Sequence, residues 1–204
     1  MTVQGIVYIV SAPSGAGKTT LVNQLISQNL NIRLSISHTT RLPRVGEQEG
    51  KDYYFVELAE FEALKQQGYF VETAEVFGNW YGTSKKGLEQ RLLSGSDVIL
   101  ELDWQGAKSI RELFACVTIF ILPPTKTALL VRLRARAQDE EAVIAKRMEK
   151  AVDEIKHYSE YDYIIVNEHL DRALDDLSAI IRAGHHSMRF QAKCYAEFIS
   201  ELIT

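Results

Sequence analysis

Short apolar runs and helical stripes alternate along most of this chain. "GIVYIV" (5–10), "DVILELD" (97–103), "VTIFIL" (117–122) and "YIIVN" (163–167) are rich in β-branched residues and too short for helices. Their near-continuous apolar character suits strands buried on both faces, as in a parallel sheet covered by helices. After the first run, Leu21, Val22, Leu25 and Ile26 recur at helical spacing. Further helices are predicted over 84–94, 126–135, 140–158 and from about residue 169 onward. The apolar stripe of that last helix, Leu170, Leu174, Leu177, Ile180 and Ile181, suits packing on the core or on a partner. Strand–helix alternation of this kind predicts an α/β fold, a parallel sheet flanked by helices.

Two regions break the rhythm. Residues 35–83 mix polar turns with the aromatic clusters "DYYF", "YF" and "NWYG" and short alternating strands, which reads as an insertion. Residues 132–141, "RLRARAQDEE", are highly charged and read as a solvated, mobile connection between helices.

Composition narrows the function classes. The 204 residues carry 46% hydrophobic and 25% charged side chains, enough for one domain with a substantial core. A net charge of -4 provides no global basic field for nucleic acid, so any anion site must be a local cluster. Cys116 and Cys194 have no metal-ligand or disulfide spacing, and Cys116, within "ACVTIFIL", is expected to be a buried small hydrophobe. The five histidines, His38, His157, His169, His185 and His186, show no metal-ligand pattern and are expected in surface or capping roles. No basic-flanked leader and no run near ~20 apolar residues is present, so no membrane contact and a cytoplasmic location are expected.

The chemistry begins at "SAPSGAGKTT" (11–20), where Gly17, Lys18 and Thr19 match the end of the pattern G-x-x-x-x-G-K-[ST]. The loop lies between a predicted strand and a predicted helix, the context a phosphate-binding loop requires. In such a loop, backbone N–H groups and the helix N-terminus face phosphate oxygens. Lys18 would reach the outer phosphates and the Thr19 hydroxyl would bind Mg²⁺ beside them. Ala12 replaces the first glycine, at the strand-side mouth, where an alanine with negative φ fits; a Gly-rich turn unrelated to phosphate is the plain alternative. Downstream, Arg41 and Arg44 lie three apart around Pro43, with Tyr53 after a turn. Two guanidinium forks and a phenol suit a second phosphate, although two solvated loop arginines would look the same in sequence. Glu101 and Asp103 end a predicted strand, where a carboxylate either acts on Mg²⁺ through water or caps the next loop.

Taken together, "SAPSGAGKTTL", "SISHTTRLPRVGEQEGKDYYFV", "FVETAEVFGNWYGTSK", "VILELDWQGA", the "RARAQDEE…KRM" region and "DYIIVN" resemble the guanylate kinase family over nearly the whole chain. That resemblance implies a P-loop NTPase fold with an inserted nucleoside-monophosphate-binding subdomain and a short lid. It implies core segments 1–34, 84–125 and 151–204, a GMP-binding subdomain at 35–83 and a lid region at 126–150. The implied reaction transfers phosphate from ATP to GMP with Mg²⁺ as cofactor. Residues Ala12, Pro13, Ser14, Gly15, Ala16, Gly17, Lys18 and Thr19 would hold ATP, with Asn167 near its adenine. Arg41, Arg44, Tyr53 and Tyr81 would bind the GMP phosphate. Glu72, with the hydroxyls of Ser37 and Thr83, would read guanine, and Asp103 would face the GMP side. Arg136 and Arg147 match the lid arginines, which act in catalysis with Lys18. The chain departs from the family pattern at Ala12 and at Ala137, where relatives usually show Arg-Gly.

Two other functions fit parts of this pattern. An interaction module on the same fold would use the monophosphate site to hold proteins and typically loses parts of the ATP loop. A kinase for another phosphorylated acceptor, such as a ribosyl phosphate, would leave Glu72, Ser37 and Thr83 with no base to read.

Overall fold

The computed structural model describes residues 4–76, 78–136 and 141–204. Strand β1 (Val7–Ser11) runs through the centre with every residue buried, then turns through the glycine loop into α1 (Lys18–Gln28). A short strand β2 (Ile32–Leu34) follows. Next come β3 (His38–Thr39), β4 (Tyr54–Phe55), α2 (Leu58–Gln66), β5 (Phe70–Val76) and β6 (Asn79–Ser84). The chain then alternates through α3 (Lys85–Leu93), β7 (Asp97–Glu101), α4 (Trp104–Leu113), β8 (Cys116–Leu122), α5 (Lys126–Arg136) and α6 (Glu141–Ile155). Strand β9 (Tyr163–Val166) and helices α7 (Leu170–His185), α8 (Met188–Cys194) and α9 (Ala196–Ile203) complete it.

The main sheet has the order β2-β7-β1-β8-β9, all pairs parallel, as the apolar runs predict. Period-two alternation splits its core in two. Tyr8 and Val10 face Leu21, Leu25, Leu177 and Ile181 of α1 and α7, whereas Val7 and Ile9 face Leu88, Leu92 and Ile110 of α3 and α4. Fully buried aliphatic side chains each contribute on the order of 1.5–3 kcal/mol, so this two-sided core holds the C-terminal ends of β1 and β7 rigidly in place. A second sheet, β4-β3-β6-β5, carries the aromatic cluster and stands over those strand ends. Phe61 and Phe70 stack at 4.7 Å beneath it.

The structure departs from the sequence pattern in six places. Residues 35–83 hold a helix, α2, as well as strands, and residues 132–136, expected in a mobile connection, are the last turn of α5 with Leu133 buried. Strand β2 escaped notice because "IRL" is short and amphipathic; it pairs with β7 at the sheet edge, Ile32 buried and Arg33 exposed. The expected single C-terminal helix is three. Ser187 leaves helical geometry (φ -66°, ψ 143°) while its hydroxyl donates to the Gly184 carbonyl, an alternative to continuing the helix, and Tyr195 makes the next break. Cys116, expected buried, is half-buried at the start of β8. His38, expected at the surface or in a cap, is buried among the Tyr54, Tyr69 and Phe70 rings. Among the described residues, no helix is long and apolar enough to cross a membrane.

Candidate active site

A cavity of about 210 Å³ opens where β1 and β7 end beneath the second sheet. One wall is the glycine loop, with Ala12, Pro13, Ser14, Gly15, Gly17, Lys18 and Thr19. Gly15 and Gly17 hold φ of 91° and 95°, the left-handed region that glycine occupies without strain. Gly17 is required twice over, because a Cβ there would lie 2.4 Å from Asn167 Nδ2. Gly17 is also the N-cap of α1, with no side-chain cap, so the first N–H groups of the helix are left for an outside acceptor. The Ala12 methyl packs against the core cluster beneath the loop, consistent with substitution at its undemanding end.

The back of the loop is fixed from two sides. Buried Asn167 donates to the Ala16 carbonyl at 2.8 Å. Arg132, which the sequence reading passed over, donates to that same carbonyl at 3.3 Å and to the Asn167 carbonyl at 3.0 Å. The spacing Arg132, Arg134, Arg136 carried no signal for this, since only the fold brings α5 against residue 16. Asn167 is therefore a loop support in this structure, behind the cavity and not among its walls.

The opposite wall comes from scattered positions: Ser37, Arg44 and Tyr53, then Glu72 and Tyr81 on the antiparallel pair β5–β6. Glu72 is 6% exposed and accepts the Thr83 hydroxyl on Oε1 at 2.6 Å, while its Oε2 has no partner. Burial pushes the Glu72 carboxyl up to about 7, against the lowering effect of the Thr83 hydrogen bond and with added repulsion from Asp103. Oε2 lies over the start of α4, where a Cβ on Gly106 would approach to 3.1 Å. Thr83 is wholly buried and touches the cavity only through Glu72. Tyr53 and Tyr81 stand edge to face at 5.9 Å, and burial first, then the Glu101 charge, pushes the Tyr53 phenol up to about 12. Tyr53 therefore stays a neutral donor.

Arg41 is not brought into the walls. Its Nη2 donates to both oxygens of Glu47 at 2.9 Å, and the guanidinium lies 5.3 Å from the Tyr53 ring centre. Strand-end carboxylates Glu101 and Asp103 both line the cavity, with different roles. Asp103 is the N-cap of α4, accepting from Gly106 N–H at 2.9 Å, whereas Glu101 Oε1 is buried and unpartnered. Glu154 of α6, another residue the sequence reading missed, also lines the cavity. Burial raises its carboxyl, opposed by Lys150, the Ser14 N–H and Lys18. Arg147 is half-buried on α6 and not a wall residue. Arg136 ends α5, and its side chain, like Ala137, lies outside the described residues.

The chain is similar to known proteins over nearly its whole length. The guanylate kinase family model aligns with residues 4–184. The chain belongs to the guanylate kinase family. A guanylate kinase of Alkalilimnicola ehrlichii is 52% identical over 200 residues, covering 98% of each chain. One from Salmonella typhimurium is 52% identical over 203 residues, again 98% of each. In three dimensions, a crystal structure of guanylate kinase from Anaplasma phagocytophilum matches with TM-score 0.76 at 39% identity, covering 91% of this chain and 89% of that one. The family thus accounts for the P-loop fold seen here, a phosphate loop on a parallel sheet flanked by helices. A larger cavity, about 550 Å³, lies near the opposite ends of β1 and β8 and holds none of these groups.

Proposed function

We propose that the cavity is the two-nucleotide site of an ATP:GMP phosphotransferase, making ADP and GDP. The observation that carries this reading is the buried, unpartnered Glu72 Oε2 in the same cavity as the Lys18 loop. Guanine offers a ring N–H and an exocyclic amino group side by side, two donors for one ionised carboxylate. Adenine presents a bare ring nitrogen there, whose lone pair would oppose Glu72. Sites that read such hydrogen bonds can discriminate by ~10⁴ or more. Thr83 holds Glu72 in place, and the Ser37 hydroxyl completes the base pocket.

On the acceptor phosphate act Arg44, Tyr53 and Tyr81, together with Arg41. The loop from Ala12 to Thr19 holds the ATP phosphates on its N–H groups, and Lys18 follows the transferring one. The attacking acceptor oxygen is already anionic, so no general base is required, in keeping with the absence of a nucleophile–base pair in the walls. Catalysis is then positioning plus charge stabilisation. Residues 35–83 act as the GMP-binding subdomain and 126–150 as the lid, with Arg136 and Arg147 closing on the transferred group.

The site chemistry suits Mg²⁺. Among the described residues, no group of three His, Cys, Asp or Glu could by itself hold a metal. The Thr19 hydroxyl and the unpartnered Glu101 oxygen are hard donors, which fits an ion held mainly by substrate phosphates and water. When bound, it would neutralise developing charge on the phosphates. The acceptor panel tests the whole reading: Mg-ATP with GMP, AMP, CMP or UMP, following ADP release. Turnover with GMP far above the others is expected, and none with GMP would sink it. The interaction-module alternative predicts GMP binding without turnover, and Lys18 and Thr19 together speak against it.

A further inference from the structure

Gly106 sits in the first turn of α4, where the helix itself gives no reason for a glycine. Its φ is outside the left-handed region, and glycine is among the poorest helix formers. Space gives the reason. A β-carbon built on Gly106 would lie 3.1 Å from Glu72 Oε2, 3.4 Å from the Leu102 β-carbon and 3.5 Å from Asp103 Oδ1. The Gly106 N–H is already taken by Asp103 Oδ1 at 2.9 Å, and Glu72 Oε2 has no partner. The carboxylate therefore approaches α4 without a hydrogen bond, through room that a missing side chain leaves.

Two features of the second sheet hold Glu72 in that room. Phe70 and Glu72 are two residues apart and would share a face of a regular strand. Instead Phe70 stacks on Phe61 of α2, while Glu72 lines the cavity. The register shifts between them: two steps on β5, Phe70 to Glu72, match one on β6, Ser84 to Thr83. Such a β-bulge re-aims a side chain. The Thr83 hydroxyl then fixes Oε1 at 2.6 Å. With one oxygen held, the carboxylate cannot give way to a new β-carbon without straining that bond.

We propose that Gly106 is a specificity-determining position for the purine base: its missing side chain leaves the space in which Glu72 keeps one oxygen free for the guanine donors. This rests on reading the cavity as the GMP site. Gly106 acts through Glu72, as a positioning residue.

Guanosine and inosine differ by the exocyclic amino group, so their affinity ratio reports how well the carboxylate meets both donors. In Gly106→Ala, calorimetric affinity for guanosine should fall about tenfold, the scale of a lost charge-assisted contact, and the preference over inosine should shrink. ATP affinity should stay within about twofold, and the thermal midpoint should hold or rise, because alanine favours the helix. KM for GMP should rise more than kcat falls. Glu72→Asp draws the carboxylate back by one methylene, so in that background Gly106→Ala should change guanosine affinity by less than about twofold. If Gly106→Ala alone folds poorly, the double variant should recover the midpoint, and no recovery would overturn the proposal. Unchanged guanosine affinity in Gly106→Ala, an equal loss of ATP affinity, or an undiminished loss in the Glu72→Asp background would each overturn it too. Absence of guanosine and GMP binding by the unaltered chain would remove the functional reading as well. Normal binding by both the unaltered chain and Gly106→Ala would remove the positioning role alone.

Discussion

The two walls of the cavity are built from different materials. In the proposed site the donor wall is one contiguous loop that would work through backbone N–H and a helix N-terminus, with Lys18 as its main side chain. The proposed acceptor wall gathers Ser37, Arg44, Tyr53, Glu72 and Tyr81 from a small sheet and the segments beside it, and would work almost wholly through side chains. A backbone site depends on φ angles and close approach, so it tolerates side-chain change where neither is at stake. A side-chain site depends on each group and on what holds it, as Thr83 holds Glu72 and Glu47 holds Arg41.

Substitutions on the donor wall sharpen this contrast, and their expected effects descend steeply. Lys18→Ala removes the one side-chain charge there and should lower kcat by ~10³-fold or more, the scale of a lost electrostatic stabiliser in transfer chemistry. Circular dichroism and thermal midpoint should stay nearly unchanged, since Lys18 is only half-buried. Gly17→Ala should act through the backbone. It forces a φ of 95° and meets the Asn167 amide, so a stability loss of roughly 1–3 kcal/mol is expected in denaturant titration. Ala12→Gly restores the generic motif yet should change KM for ATP less than about twofold. It should slightly lower stability, by under about 1 kcal/mol, because it deletes a packed methyl and adds chain entropy. A large gain in ATP affinity from Ala12→Gly would show that position 12 does contact the ligand.

The same contrast explains what the sequence disclosed. The donor loop was legible because its demands are local: glycines, a lysine and a hydroxyl at fixed spacing between a strand and a helix. The central strands were legible because burial on both faces leaves continuous apolar runs, whereas β2, half-buried at an edge, left too little pattern. On the acceptor wall Glu72 stood out only as a carboxylate among apolar residues. Its pairing with Thr83 is a cross-strand contact that the β5–β6 register creates. Arg41 and Arg44 looked equivalent at three residues apart, but the 44–47 turn draws Glu47 onto one and leaves the other at the cavity. Arg132 and Glu154 could not be found by spacing, because helices α5 and α6 meet the loop only in the folded chain.

Buried His38 offers a smaller test of the acceptor sheet. Burial lowers its pKa from 6.5, so the folded state disfavours the charged ring that the unfolded chain binds readily. Stability should therefore be fully present above about pH 6.5 and decline as pH falls below it. His38→Phe should flatten that decline in thermal melts.

Whether the buried Glu72 carboxylate reads guanine can be measured without turnover, by guanosine binding as a function of pH. Guanosine carries no phosphate, so titration of the ligand does not intrude at these pH values. The base needs an ionised Glu72, and burial holds that carboxyl at about 7. Affinity should thus rise as pH increases from about 5.5 and level off above about 7.5, while Glu72→Gln binds weakly with no such rise. A flat profile in the unaltered chain, or the same profile in Glu72→Gln, would contradict the account.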